Sequence, residues 1–496
     1  TKRIAIVGAG TAGIVTLKTL LVDIPEDLRR GWEVVVFEQR EGVGGIWLPD
    51  SEPLPRPPKL PETPLYPKLT TNVAHPTMTV PRFPFPPNTP LYPGHETVLR
   101  YHNDIITRFY LTSHVRLSSR IEEARWDGVK WELTIEDRRA SSIARPPVFY
   151  RAGFDHLVVA NGHFHDPYEP RIEGLDAWKA RGDKRVMHSI YFRHGEDFAG
   201  KNVLIIGGGS SSRDAALQIA PFANSTTVSR KDSVFGDIGI EPEHAGIDYK
   251  SRVVSFTPDC VLFADNTTLA SVDTVILATG YEHRADFLTR GGSLDVVPAG
   301  QQRDGRLSTS LRYVRPLWRH MFALDATLPP TALAFIDLPL FASNGMIASA
   351  QALFLGHALA DPHILPSRAA MQAELLGYER RLHAEGLDPA YVGHRLIAFP
   401  GDVDPDADAA YQDDLVRLLQ AAGLAGVGGV PPSGTNFTES WRRYGRAHSR
   451  LMRRKWERIE GEGEAVVRKW IGGVRSEEGW ARVMQRLVEW VPEAEE

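Results

Sequence analysis

Short apolar runs closed by small residues set the rhythm of this chain. Ile4-Ala5-Ile6-Val7 runs into Gly8-Ala9-Gly10-Thr11-Ala12-Gly13, and Val203-Leu204-Ile205-Ile206 runs into Gly207-Gly208-Gly209-Ser210-Ser211-Ser212. Each pattern predicts a buried strand, a tight turn and the start of a helix. Glycine lets the chain turn sharply there and brings backbone N–H groups, at the positive end of the helix, against a pyrophosphate. Two such turns predict two dinucleotide sites whose cofactors face each other. Further strands are predicted at 32–37, 131–135, 157–160, 226–229, 274–277 and 332–336, and helices at 96–108 and 346–359. The strands at 157–160 and 274–277 close in Asn161-Gly162 and Ala278-Thr279-Gly280-Tyr281, small-residue endings that suit close approach to a cofactor.

The charge that follows each turn separates the two sites. Strand 32–37 ends in Glu38, about 25 residues beyond its last glycine, where an acid meets a ribose hydroxyl and repels a 2′-phosphate. Strand 226–229 ends in Arg230 and Lys231, about 18 residues on, where a cation pairs with a 2′-phosphate. The first site reads as the ADP half of FAD and the second as NADPH. The competing reading is a pair of structural strand-turn-helix units whose charges are merely solvated.

The fold class is α/β, with two Rossmann-like dinucleotide-binding domains and a helical C-terminal tail. Residues 1–166 and 282–422 are expected to form a discontinuous FAD domain. The NADPH domain, 167–281, is inserted into it, and 423–496 supply a linker and tail. The proline-dense stretch 48–93 forbids regular helix or central strand, and is expected to be an ordered loop wrapping over the flavin. Trp441, Trp456, Trp470, Trp480 and Trp490 are expected to pack the tail onto the body. A net charge of −5 argues against a nucleic-acid partner. The single cysteine, Cys260, reads as a buried spectator and excludes the paired thiol of flavin disulfide reductases. Asp402, Asp404, Asp406 and Asp408 read as a solvated acidic loop, and no metal site is expected. No leader precedes the first strand and no apolar run could span a bilayer, so the expectation is a cytoplasmic protein without a membrane anchor. A homodimer stays open.

Several motifs in order resemble the flavin-containing monooxygenases, class B flavoprotein oxygenases, and their fungal-type members in particular. They are the first glycine turn, Phe37-Glu38 followed by Gly44-Gly45-Ile46-Trp47, Leu69-Thr70-Thr71-Asn72, Phe83-Pro84-Phe85-Pro86, the second turn, Ala278-Thr279-Gly280-Tyr281 and Ala350-Gln351-Ala352. His188-Ser189-Ile190-Tyr191-Phe192-Arg193 is similar to the end of the family's fingerprint, although Trp178 and Gly182 stand further from the histidine than its aromatic and glycine do. The related Baeyer–Villiger enzymes end that fingerprint in Trp-Pro, where this chain has Phe192-Arg193.

The resemblance implies an NADPH- and dioxygen-dependent monooxygenase whose flavin C4a-hydroperoxide oxygenates nitrogen or sulfur of a small nucleophile. It assigns FAD to Gly8, Gly10, Thr11, Ala12, Gly13, Glu38, Gln39, Arg40, Gly45, Ile46, Trp47, Thr71, Asn72 and Gln351. NADPH falls to Gly207, Gly209, Ser210, Ser211, Ser212, Arg230, Thr279, Gly280 and Tyr281. Asn72 is the expected catalytic residue, since a carboxamide donates and accepts hydrogen bonds without titrating; its alternative is to cap a turn before Pro76. Gln351 is expected at the isoalloxazine edge or capping a helix start, Tyr281 at the nucleotide or in packing, and His188 fixing backbone rather than acting as a base. A Baeyer–Villiger enzyme, an uncoupled NADPH oxidase and a non-catalytic binding protein are the other readings.

Overall fold

Strand β1 (Lys2–Val7) lies between two parallel neighbours, and its core residues Ile4, Ala5 and Ile6 are wholly buried. The computed structural model describes residues 1–51, 53–139, 146–231, 244–402, 404 and 406–491. After β1 the chain forms helix α1 (Thr11–Lys18) and strand β2 (Trp32–Phe37), which pairs with β1 from Lys2 opposite Trp32 to Val7 opposite Phe37. Helix α2 (His95–Arg108) and strand β3 (Val115–Arg116) follow. Strands β4 (Ser119–Trp126), β5 (Trp131–Asp137) and β6 (Val148–Phe154) make an antiparallel sheet of their own, and β7 (His156–Val159) returns to the far side of β1.

The chain next builds a five-stranded parallel sheet. It comprises β8 (Arg185–His188), β9 (Asn202–Ile206), β10 (Ser225–Ser229), β11 (Asp248–Lys250) and β12 (Thr274–Leu277), in the order β11-β10-β9-β12-β8. Helix α3 (Ser210–Ile219) follows β9. Strands β13 (Leu317–Trp318), β14 (Phe322–Ala323) and β15 (Leu333–Phe335) then complete the first sheet as β13-β14-β15-β7-β1-β2-β3. Helix α4 (Asn344–Ala360) is buried from Gly345 to Leu359 and packs on α1, the behaviour of a helix that is apolar on every face, and helices α5 (Arg368–Ala384) and α6 (Ala407–Leu419) follow it. The α/β class with two dinucleotide-type sheets is as expected from the sequence.

Two compact units result: residues 1–47, 70–162 and 283–496 form one, and 48–69 with 163–282 form the other. The units differ from the expected division in the place of residues 48–69, which belong to the second unit, where Arg193 donates to Asp50 Oδ2 (3.1 Å) and Thr63 O (3.2 Å) and Tyr66 bonds Asp214 and packs on Phe192. The tail is part of the first unit: helices α7 (Ser440–Ala447), α8 (Ser449–Gly461), α9 (Glu464–Ile471) and α10 (Glu477–Glu489) share a hydrophobic cluster with Ala74, Leu91 and Tyr92. No helix among the described residues is long and apolar enough to cross a membrane.

The acidic stretch 402–408 is also corrected, because it is paired rather than solvated. Asp408 is buried against Arg446 (3.1 Å), Ser343 N and Gln412, Asp402 pairs with Arg381 (2.7 Å), and Arg443 joins Asp404 to Asp413. Asp406 caps helix Ala407–Leu419 through Ala409 N. Cys260 is half-buried at a strand start, bonded to Thr257, not wholly enclosed as expected.

Burial holds several histidines neutral: His75 is pushed down to about 3, and His102, His163, His188 and His320 to about 4. The unfolded chain takes up protons on these rings below about pH 6.5, while the folded chain does so only near pH 4 or lower. Unfolding is therefore coupled to proton uptake in that window, and stability rises with pH across it. Thermal melts should show Tm falling by several degrees from pH 7 to pH 5; a flat profile would contradict the burial of neutral rings.

Candidate functional site

In the first unit, β1 ends in a turn whose geometry excludes side chains. Gly8 has φ +99°, its N–H donates to Phe37 O (2.8 Å), and Ala160 N donates to Val7 O (3.0 Å). A Cβ on Gly13 would sit 1.8 Å from Gly8 O, so α1 can follow β1 this closely only with glycine there. Gly10 faces Gly45 backbone to backbone, and Gly44 N donates to Ala9 O (2.8 Å). Helix α1 has neither a side-chain cap nor an acid in its first turn, leaving its N-terminal N–H groups to an anion.

Glu38, at the end of β2, is buried; Oε2 accepts from Ala9 N (2.8 Å) and Oε1 from Arg40 N (2.8 Å). The acid thus braces the glycine turn from the end of β2. Gln39 O accepts from Arg138, and Arg40 donates to Gly45 O (3.1 Å), tying the 38–47 segment together around Ile46 and the half-buried Trp47. Thr11 Oγ1 meets His102 Nε2 at 3.1 Å, and Ala12 is buried behind it. His102 carries no short-range signal in the sequence; its place beside Thr11 comes from the fold. These residues fit the ADP half of FAD.

Thr71 and Asn72 divide their roles. Thr71 is buried, its N–H on Pro93 O (3.0 Å) and its hydroxyl on Val73 O (2.8 Å). Asn72 is exposed and its carboxamide bonds to no described residue, so it is Thr71 that closes the turn.

The capping alternative for Gln351 is corrected: it lies in the middle of α4, wholly buried, accepting from Asp337 N (2.8 Å) and donating to Tyr411 OH (2.8 Å), so it does not cap a helix start. Asp337, which it braces, stands two residues past β15 with φ +64°, at the carboxyl edge of the sheet. Burial, with Asp408 adding, pushes the Asp337 carboxyl well above the usual carboxylate range. Asp337 stands one residue beyond the strand expected at 332–336 and carries no motif of its own.

The second unit repeats the arrangement. Gly207 (φ +142°) would bring a Cβ to 2.1 Å from Ala278 O, and its N–H donates to Ser229 O (2.9 Å). Helix α3 begins at Ser210 after Gly209, without a side-chain cap or first-turn acid. Ser211 is exposed, whereas Ser212 is buried as the small residue against the strand. Arg230 lies beside the turn: a Cβ on Gly208 would be 3.2 Å from Arg230 Cβ, and its guanidinium stands 4.8 Å over the Tyr249 ring. These residues fit a phosphorylated dinucleotide.

Thr279 and Tyr281 are engaged internally. Thr279 Oγ1 donates to Tyr168 O (2.5 Å), and the Tyr281 ring is edge-on to His188 (5.2 Å) and Phe164 (5.9 Å). His188 Nδ1 accepts from Ile190 N (3.2 Å), which leaves Nε2–H to donate to Gly280 O (3.0 Å). Both nitrogens fix backbone, as expected.

A family model described as flavin-binding monooxygenase-like matches residues 1–236. Flavin-containing monooxygenase ustF2 of Aspergillus flavus is 26% identical over 450 residues, covering 79% of this chain and 88% of that protein. Flavin-containing monooxygenase FMO GS-OX5 of Arabidopsis thaliana is 27% identical over 408 residues, covering 79% and 81%. The solved structure of S-allyl-L-cysteine S-oxygenase from Allium sativum shares the fold with a TM-score of 0.71 at 22% identity, covering 99% of both chains.

Gly13→Ala tests the first cradle. Opening the turn to admit the methyl costs about 1–3 kcal/mol, so FAD content should fall sharply while the second unit still binds NADPH; full flavin occupancy would show that the turn tolerates a Cβ.

Proposed function

We propose that the chain is a member of the flavin-containing monooxygenase family, an NADPH- and dioxygen-dependent enzyme that oxygenates nitrogen or sulfur of a small nucleophile; the family-model match and the similar relatives support this reading. For a thioether the balance is NADPH, H⁺, O₂ and R₂S giving NADP⁺, H₂O and R₂SO. The observation that carries this reading is the pair of glycine cradles with opposite charge: Glu38 beside the first and Arg230 beside the second. A protein that shares the fold, S-allyl-L-cysteine S-oxygenase from Allium sativum, is named for oxygenation at sulfur, and the sulfur arm of the proposal follows that name.

When bound, FAD supplies a ring that accepts hydride from the nicotinamide and passes electrons to dioxygen. The N–H groups opening α1 hold its pyrophosphate, and Glu38 takes the adenine ribose. Those opening α3, with Ser210 and Ser211, hold the NADPH pyrophosphate, and Arg230 takes the 2′-phosphate. Asn72 offers a donor and an acceptor to the reacting oxygen or the bound nucleotide without changing charge with pH. His188 is held neutral with both nitrogens occupied, so it does not serve as the proton carrier. Arg193, which stands where the Baeyer–Villiger fingerprint has proline, is tied to Asp50 and Thr63.

Two variants test the assignment. Removing the 2′-phosphate partner in Arg230→Ala forfeits a charge-assisted contact of about 1.5–3 kcal/mol, so KM for NADPH should rise by about 10–100-fold. KM for NADH should stay nearly unchanged, and equal shifts for both would make Arg230 a surface cation. Asn72→Ala should keep FAD and NADPH oxidation but release hydrogen peroxide, with product per NADPH reduced by about tenfold for one lost hydrogen bond. Assays in air with a thioether, a tertiary amine and a ketone read the substrate class; lactone from the ketone with no sulfoxide or N-oxide would reverse it.

A further inference from the structure

We propose that the C-terminal helices are part of the oxygenation machinery: Arg453 and Arg442 grip the two ends of the 70–79 segment and so fix the position of Asn72. This rests on the role given to Asn72 above. The segment holds no strand and no helix longer than the turn His75–Thr77; short-range bonds such as Thr71 Oγ1 to Val73 O and Thr79 Oγ1 to Pro76 O shape it locally, and Thr71 N and His75 N donate to Pro93 O and Leu91 O. The tail adds contacts at both ends of the segment.

Arg453, on α8, donates from Nη1 to Thr71 O (2.9 Å) and from Nη2 to Thr70 Oγ1 (3.1 Å). Its Nε is held by Glu457 (2.8 Å), and its plane lies 4.6 Å over the Tyr92 ring. A rigid fork in that setting fixes the backbone immediately before Asn72. Arg442, on α7 and 1% exposed, donates to Pro76 O and to Thr79 Oγ1 (2.8 Å), while Glu439 (2.8 Å) and Glu477 (2.9 Å) hold its other nitrogens. Trp480 of α10 meets the His75 ring edge-on at 4.4 Å. At Gly445 a Cβ would come to 2.8 Å from Thr77 Cγ2, so α7 lies directly on the turn. Asn72 stands between the two gripped ends and makes no hydrogen bond of its own to a described residue. Its carboxamide is placed solely by the backbone on either side, which makes Arg453 and Arg442 positioning residues.

The test uses FAD-loaded Arg453→Ala, Arg453→Lys, Asn72→Ala, the Asn72→Ala/Arg453→Ala double variant, and, as a tail control, Arg468→Ala, whose arginine pairs with exposed Glu464. Amide exchange by mass spectrometry follows peptides covering 70–79, with β5 as reference, and the ratio of product to NADPH oxidised is measured in parallel. Losing two hydrogen bonds should speed exchange at 70–79 by about tenfold or more in Arg453→Ala and less in Arg453→Lys. Coupling should fall toward the Asn72→Ala value, and the double variant should be no worse than Asn72→Ala. Arg468→Ala should match wild type in both readouts.

Unchanged exchange at 70–79 in both Arg453 variants would overturn the grip. Faster exchange with wild-type coupling would overturn the link to Asn72. Normal coupling in Asn72→Ala would defeat the catalytic reading of that residue instead, and exchange would still decide whether the tail holds the segment. Should Arg453→Ala fail to fold, Arg453→Lys, which keeps the charge and loses the fork, carries the same comparison.

Discussion

Helices α1 and α3 each begin with backbone N–H groups that no side chain of their own caps, and with no acid in the first turn. The macrodipole at such an opening favours an anion. Glycine is what lets strand and helix approach so closely there: at Gly13 and Gly207 the neighbouring carbonyl lies where a Cβ would be. Each helix also starts at the carboxyl end of a central parallel strand, the edge at which α/β sheets bind nucleotides. The charges beside these openings then sort one dinucleotide from the other. Glu38 is locked by two N–H donors and so remains an oriented acceptor, while Arg230 brings a planar cation to the corresponding place.

This much was legible in the sequence because it is local. A strand, a turn and a helix within about 15 residues carry their own signature, and the charge at the end of the next strand follows at a set distance. What was not legible depends on partners far along the chain. Residues 48–69 look like any proline-rich excursion until Arg193 is found on Asp50, 143 positions away. The aspartates at 402–408 look solvated until Arg443 and Arg446 fold back on them. Gln351 sits in a motif, yet only the path of Asp337 and Tyr411 shows that its amide faces the interior. In Thr70-Thr71-Asn72 the motif marks the place without saying which residue turns inward; Thr71 does.

The titratable groups around both cradles are arranged to stay out of proton chemistry. His102 and His188 are held neutral by burial, and each ring is committed to a neighbour: Thr11 in one case, Gly280 and Ile190 in the other. On the proposed function, the side chain offered to the reacting oxygen, Asn72, is likewise a group that does not titrate, which suits a reaction whose difficult steps belong to the flavin.

The composition of the 70–93 segment explains why an arginine-rich tail is needed to hold it. Pro76, Pro81, Pro84, Pro86, Pro87, Pro90 and Pro93 each remove an N–H and leave a carbonyl, so the segment has more acceptors than donors and cannot satisfy itself in a ladder. Guanidinium is the complementary group, several donors and no acceptor in one plane. Arg442 on Pro76 O and Arg453 on Thr71 O meet that surplus directly, and Tyr101 OH on Phe83 O (2.6 Å) does so once more. An apolar clamp could bury the same surface but would leave those carbonyls unpaired, at about 1–3 kcal/mol each. Proline-imposed irregularity near Asn72 and cationic donors on the last helices are therefore two sides of one constraint.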